Sequence, residues 1–377
     1  MKIVVIGPLP PYRGGISHFT QALAVELGKA GHEVLAISFR KQYPKLLYPG
    51  KSDKDYSQKT ELEDAKFIFS PLTPFDWAKT LKEIKRYSPD LVVYPWWTTF
   101  WSPATAWLLK KLSNLNIPVK VLVHNALPHE EGWLDKQLTK FALKSARNFI
   151  TMAEKETNRL VAVVNPLSAI ETTTHPIYAQ FPKSGLSKPE LRKKLGLPQN
   201  KTIALFFGFV RPYKGLKVLL DALGLLEKDK AELHLVVAGE FWDDKSEYER
   251  QIADLGISDM VTIRADYIPD AEAGMYFEAA DIFVAPYLDG SQSGSIKLAM
   301  GYNLPLVVSS AITDSLILNY KSGLSLFEVG DVEELAEVLN SLCNKSRLEE
   351  GLGGDFFDES WYNLLRFLTN KTNQISK

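Results

Sequence analysis

Two cations three positions apart, Arg211 and Lys214, sit in the stretch GFVRPYKG, directly after an apolar run. An arginine fork and a lysine point charge in one strand-to-helix loop suit a diphosphate. Two solvated loop charges account for them equally well. Further on, DGSQSGSIKLAMG follows the run DIFVAPY. Its small residues Ser291, Ser293, Gly294 and Ser295 lead into a helix, and exposed amides at a helix start attract anions. Ordinary capping by Ser293 or Ser295 is the alternative. In the first half, His124 ends VKVLVH, and His129 and Glu130 follow within the loop HNALPHE. Such a histidine accepts or shares a proton, or hydrogen-bonds a hydroxyl; a satisfied structural histidine is the alternative. The His-His-Glu spacing fits no helix-based zinc motif, and no metal or other cofactor is expected. Gly14 and Gly15 close GPLPPYRGG, where bare backbone approaches an anion or a sugar. The stretch is not GxGxxG, so the dinucleotide fingerprint is absent.

The elements that must position these loops alternate along the chain. KIVVI, HEVLAISF, DLVVYPW, PVKVLVHN and ARNFITMA read as strands, with helices over 15–30, PFDWAKTLKEIKRY and WLDKQLTKFALKSA between them. Unbroken Val/Ile/Leu strands with intervening helices predict a parallel sheet covered on both faces, with ligands at the carboxyl ends of strands. A segment rich in Pro, Gly, Ser and Lys near 183 reads as a linker, followed by a short helix capped at Ser187. The alternation then restarts: TIALFFGFV, a helix at 215–226, ELHLVVAGE, a helix at 245–255, MVTIRADY, a helix at 271–280, DIFVAPY, a helix near 295–302, and LPLVVSS. Two such domains joined by a linker are expected to form a cleft, which is where ligand sites concentrate.

The 377 residues suit two domains, and 45% hydrophobic with 24% charged residues is the composition of a folded globular chain. One cysteine, Cys343, excludes an internal disulfide and fits a reducing compartment. The opening apolar run is too soon broken by prolines for a signal peptide. Residues 91–109 carry no charge over nearly a bilayer span, but Pro95 and Pro103 interrupt them. A strand, a turn and a helix with Ser102 as N-cap explain the run better. Lys+Arg exceed Asp+Glu by 23 to 16 in residues 1–180, and the remainder holds 21 against 29. Six of the eight tryptophans fall between 77 and 133 (Trp77, Trp96, Trp97, Trp101, Trp107 and Trp133). Aromatic faces stack on sugars or anchor at membrane interfaces; core packing is expected for at least half of these. No basic stripe with interleaved aromatics points to nucleic acid.

In order and spacing these pieces resemble the retaining glycosyltransferases of family 4, which have the GT-B fold. The resemblance rests on Gly14-Gly15 with His18 on the next helix, HNALPHE, FFGFVRPYKGLKVLLDAL, LVVAGE, YIPDAEAGMYFEAADIFVAPY, AMGYNLPLVVSS and GDVEELAEVL. It implies two doubly wound Rossmann-like domains facing each other across a cleft. Residues 1–183 would bind the acceptor, 184–355 the nucleotide sugar, and a C-terminal helix over 356–377 would pack back on the first domain. It implies transfer of a sugar from a nucleotide-diphosphate sugar to an acceptor with retention. The basic, Trp-rich first half points to a glycan or lipid-linked acceptor made at the inner face of a membrane, where that half would rest on an anionic surface. By resemblance, Arg211 and Lys214 hold the diphosphate and His124 lies near the transferred sugar. Gly14, Gly15, Glu240, Asp289, Ser293, Gly294 and Ser295 line the donor site, and His18, His129, Glu130 and Trp97 the acceptor site. Two departures stand out. The family's pair of glutamates falls on Gly290 and Leu298 here, as in a branch with Gln-Ser-Gly at that place, and Asp289 is the nearest substitute. The arginine usual directly after the strand glycine is Phe209. The missing carboxylates keep open a non-catalytic sugar-nucleotide-binding subunit; a sugar-nucleotide epimerase of the same fold is the other rival.

Overall fold

The computed structural model describes residues 1–43, 52–57, 59–128, 132–177, 181, 183–226, 232–290, 293–320, 323–343 and 355–370, without the side chains of 355–360. Residues 1–176 and 358–377 form one compact unit and residues 177–357 another.

The first unit is a parallel sheet of β1 (Lys2–Ile6), β2 (Glu33–Phe39), β3 (Lys66–Phe69), β4 (Leu91–Trp96), β5 (Val119–Val123), β6 (Asn148–Thr151) and β7 (Ala169–Thr172), in the order β3-β2-β1-β4-β5-β6-β7. Its helices include α1 (Gly15–Lys29), α2 (Pro74–Tyr87), α3 (Ser102–Asn114), α4 (Trp133–Leu143) and α5 (Glu154–Val161). The chain builds β1, β2 and β3 outward in one direction, then returns to lay β4 on the other side of β1. The switch point therefore lies between β1 and β4.

The uncharged run at 91–109 resolves into β4, a short 3₁₀ turn at Thr99–Trp101, and α3. Every residue of β4 is buried. Pro95 is tolerated in this central strand because β1 pairs only as far as Val93, so the missing N–H faces no continuing ladder. Ser102 is not the N-cap of α3. That position is Trp101, and the Ser102 hydroxyl donates to Thr99 O at 2.6 Å inside the first turn. Trp96 and Trp101 are core residues, and Trp77, Trp97 and Trp107 pack against that core. Trp133 is the exception, at 76% exposed. No described helix is long and apolar enough to cross a membrane.

The second unit opens with α6 (Lys188–Leu195). Its capping box joins Ser187 N–H and Oγ to Glu190 Oε2 at 2.8 and 2.6 Å. The linker near 183 is tied to this unit: Ser184 donates to Glu278, and Arg192 donates to Ala279 O and Asp281. Between Pro176 and that point, Phe181 O accepts from Tyr302 Oη at 3.1 Å and the Phe181 ring packs against Phe207 and Phe277, which accounts for the units parting at Pro176 rather than at 183. The sheet is β8 (Thr202–Phe207), β9 (Leu233–Ala238), β10 (Val261–Arg264), β11 (Ile282–Ala285), β12 (Leu306–Ser309) and β13 (Leu324–Phe327), in the order β10-β9-β8-β11-β12-β13, again parallel. Its switch point lies between β8 and β11. The helices are α7 (Leu216–Leu225), α8 (Lys245–Asp254), α9 (Asp270–Ala279), α10 (Gly294–Gly301), α11 (Ser315–Leu318) and α12 (Val332–Cys343). A last helix, α13 (Asp355–Thr369), is grouped from Asp358 onward with the first unit. There Trp361 stacks on Phe19 of α1, and the buried Lys120 ammonium of β5 donates to Phe367 O and Asn370 O. A cation at a helix C-terminus satisfies carbonyls that the helix leaves unpaired.

Candidate active site

Both stretches singled out for anion binding in the second unit lie at its switch point. Arg211 and Lys214 occupy the loop after β8, and Asp289, Ser293, Gly294 and Ser295 follow β11. The two loops are stitched together: Leu288 N–H donates to Tyr213 O at 2.7 Å. Gly215, at φ +71°, lets the first loop press on the second, since a Cβ there would collide with Pro286 O. Lys214 Nζ folds back over Gly208 and lies 5.8 Å from the centre of the Tyr287 ring. The Arg211 guanidinium lies 5.4 Å from the Tyr213 ring and 5.7 Å from that of Trp242. Both cations are half-buried, and among the described residues neither forms an ion pair. Aromatic faces hold a cation in place without neutralising it, which leaves its charge for a ligand. Phe209 packs at 4.5 Å against the same Trp242 ring, tilted by 35°, so it helps build the platform on which Arg211 rests.

On the other side of this switch point, Tyr287 Oη is 2.9 Å from Ser293 Oγ and 3.0 Å from Ser295 Oγ, and the two serines are 3.0 Å apart. Ser293 caps α10, accepting from Ile296 N–H at 3.4 Å. Capping and ligand binding are thus not exclusive, because Gly294 and Ser295 remain at the helix start beside the capping hydroxyl. Gly290, at φ +147°, occupies backbone territory that a glutamate would adopt only with strain, and Leu298 is buried on α10. Asp289 lies half-buried in the same loop. Glu240 is buried at the end of β9, and its carbonyl accepts from Val210 N–H at 2.9 Å, next to the β8 loop.

The first unit's switch point is built differently. Gly14 is the N-cap of α1 and offers no side chain, so the first turn's amides are capped by none. Gly15 is exposed at that turn, and His18 is buried one turn further on. Trp97 follows β4 and His124 follows β5. The Trp97 and His124 rings meet edge to face at 6.4 Å, and Phe19 of α1 packs at 5.0 Å from His124 and 5.1 Å from His175. Burial, and then the neighbouring His175, lowers the His124 imidazole to about 3. A ring neutral across the physiological range suits hydrogen bonding to a hydroxyl better than storing a proton. His129 and Glu130 lie outside the described residues.

Several residues of these two sites escape sequence reasoning. Tyr287 ends the strand run DIFVAPY and Trp242 follows Glu240 by two residues, so both were within reach as strand-end aromatics. His175 follows β7, a short edge strand with no fully buried residue. Lys297, on α10, is fully buried against Asp314 at 2.9 Å, and Asp314 also caps α11. Its signal was a lone lysine in the apolar helix SIKLAM. Among the described residues no cluster of three metal-binding side chains occurs.

Two doubly wound units with loops gathered at each switch point define the GT-B architecture, and the solved structures agree. Anabaena HepE, solved in complex with UDP-glucose, matches 98% of this chain and 95% of its own, with a TM-score of 0.68 at 16% identity. Residues 13–172 match the family described as Glycosyltransferase Family 4, and residues 187–353 match glycosyl transferases group 1. The two matched regions lie end to end and together span most of the chain. GDP-mannose:glycolipid 4-beta-D-mannosyltransferase of Xanthomonas campestris pv. campestris is 25% identical over 205 residues, 54% of this chain and 53% of that protein. The chain spans about half the length of that curated relative. Spore coat protein SA of Bacillus subtilis (strain 168) is 21% identical over 381 residues, 94% of this chain and 93% of that protein.

Proposed function

We propose that the chain is a hexosyltransferase. It moves a sugar from a nucleotide-diphosphate sugar to a glycan or lipid-linked acceptor, with retention of configuration. The observation that carries this reading is the meeting of Arg211, Lys214 and the serine-rich start of α10 at the β8/β11 switch point. Cations and helix amides fixed in advance stabilise the charge that develops on a departing diphosphate. In the other unit a neutral His124 hydrogen-bonds a sugar hydroxyl, and Trp97 offers a ring edge beside it. No side chain in this reading acts as a nucleophile. Retention follows from front-face attack, with the leaving phosphate taking the acceptor's proton. The donor class is supported by a relative named for GDP-mannose and a fold neighbour solved with UDP-glucose. The chain works in the cytoplasm, against the inner face of a membrane, and needs no metal. The test is product analysis with a panel of nucleotide sugars and an extract of glycans and lipids. Release of the nucleoside diphosphate with a new glycoside supports the reading. A changed sugar nucleotide without any acceptor product supports an epimerase.

One observation favours a second reading. Gly290 and Leu298 replace both carboxylates, and neither place accepts one without rearrangement. A non-catalytic subunit would bind the nucleotide sugar with no turnover, and His124→Ala would then be silent.

A further inference from the structure

Helix α4 packs against α3 and buries Thr139, Ala142 and Leu143. At 3.6 residues per turn, Lys140, Trp133, Lys144, Phe141 and Leu134 share an arc of roughly 120° on the outer side. Trp133 is 76% exposed, Leu134 58% and Phe141 56%, and both lysines are exposed. The one acid of α4 is not on that arc: Asp135 turns back to accept from Thr99 Oγ1 at 2.6 Å and Gly132 N–H at 3.0 Å. Single exposed apolar residues are ordinary, but three large ones with two cations on one short helix are not. Its rings and alkyl stems are exposed to solvent, so it suits a soft surface. Tryptophan rings settle at the headgroup level of a bilayer, and lysines reach from apolar stems to phosphates.

We propose that α4 docks this chain on an anionic bilayer, with Trp133, Leu134 and Phe141 entering the headgroup region and Lys140 and Lys144 among the lipid phosphates. The excess of 23 Lys+Arg over 16 Asp+Glu in residues 1–180 adds long-range attraction to the same surface. The proposal stands on the face of α4 and holds with or without sugar transfer. In sequence α4 begins nine residues after His124, so docking there would bring a lipid-linked acceptor toward the imidazole, and this clause alone rests on the reading above.

The test is flotation of the full chain with phosphatidylcholine vesicles, with and without phosphatidylglycerol, at low and high salt. Binding is expected only to the anionic vesicles and is lost at high salt. Lys140→Ser/Lys144→Ser lowers the partition coefficient about thirtyfold, since each lysine near such a surface contributes roughly fivefold. Trp133→Ser/Phe141→Ser lowers it about tenfold or more through lost apolar burial. All four positions are exposed, so unchanged melting of both variants shows that the fold is intact. Absence of salt-sensitive flotation, or equal binding by wild type and variants, overturns the proposal. So does a lipid-free dimer that Trp133→Ser/Phe141→Ser turns into a monomer, because the face would then join two copies. Vesicle binding needs no nucleotide, so this result and the donor-binding result fail independently.

Discussion

The two switch points share a topology and carry opposite chemistry. At β8/β11, half-buried cations rest on aromatic rings beside serine hydroxyls and a helix start. At β1/β4 and the adjoining end of β5, a neutral histidine is packed among Phe19, Trp97 and His175. The first arrangement keeps charge available for an anion. The second removes charge and leaves a hydrogen-bonding ring in an apolar setting. A parallel sheet therefore dictates where a ligand site opens, while the loop residues decide what it holds.

The contrast is most strongly broken by disturbing the frame of the charged site. Asp314→Ala strands the buried Lys297 ammonium and is expected to cost about 3–5 kcal/mol, whereas Lys297→Met/Asp314→Leu loses only the α11 cap, at about 1 kcal/mol. Thermal unfolding of the three proteins checks this; equal losses in single and double variants would contradict it. Gly215→Ala comes next, at roughly 2–4 kcal/mol, from a strained φ and the collision with Pro286 O. It should also abolish nucleotide binding, because the two loops can no longer touch. At neutral pH the smallest effect concerns the His124 site, whose contribution shows only in acid. His124 binds its proton at about 3 in the fold against 6.5 unfolded, so the unfolded chain holds more protons in between. The stability from the neutral ring is complete above pH 6.5 and is lost as the pH falls toward 3. His124→Phe should flatten that acid limb in urea titrations and leave nucleotide affinity unchanged. An unflattened limb would mean that the ring is wet and charged.

Much of the frame was legible because central strands are continuous apolar runs; β1, β4, β5, β8, β9 and β11 announce themselves in this way. The strands that escaped, β3, β7 and β13, are all sheet edges with mixed burial. Arg211, Lys214 and the serines were readable because each follows a strand and precedes a helix. What surrounds them was not. The Trp242 platform joins the β9 loop to the β8 loop, and the Lys297–Asp314 pair joins α10 to the start of α11. Such contacts depend on which strands lie side by side, and no local pattern encodes that. The linker shows the same limit: its composition marks a boundary near 183, but contacts of Phe181 with Tyr302, Phe207 and Phe277 fasten it to the second unit.

The central claim is that Arg211 and Lys214 hold the diphosphate of a sugar nucleotide. The most direct measurement is a thermal-shift panel with UDP, GDP, ADP, CDP and their sugar conjugates on wild type and on Arg211→Ala/Lys214→Ala. A ligand at about 100 times its Kd stabilises by roughly 2.7 kcal/mol, a shift of a few degrees for a chain of this size. The account predicts a shift with one nucleotide family and its loss in the variant, where two missing charge-assisted contacts lower affinity at least about a hundredfold. No shift with any nucleotide, or the same shift in the variant, would contradict it.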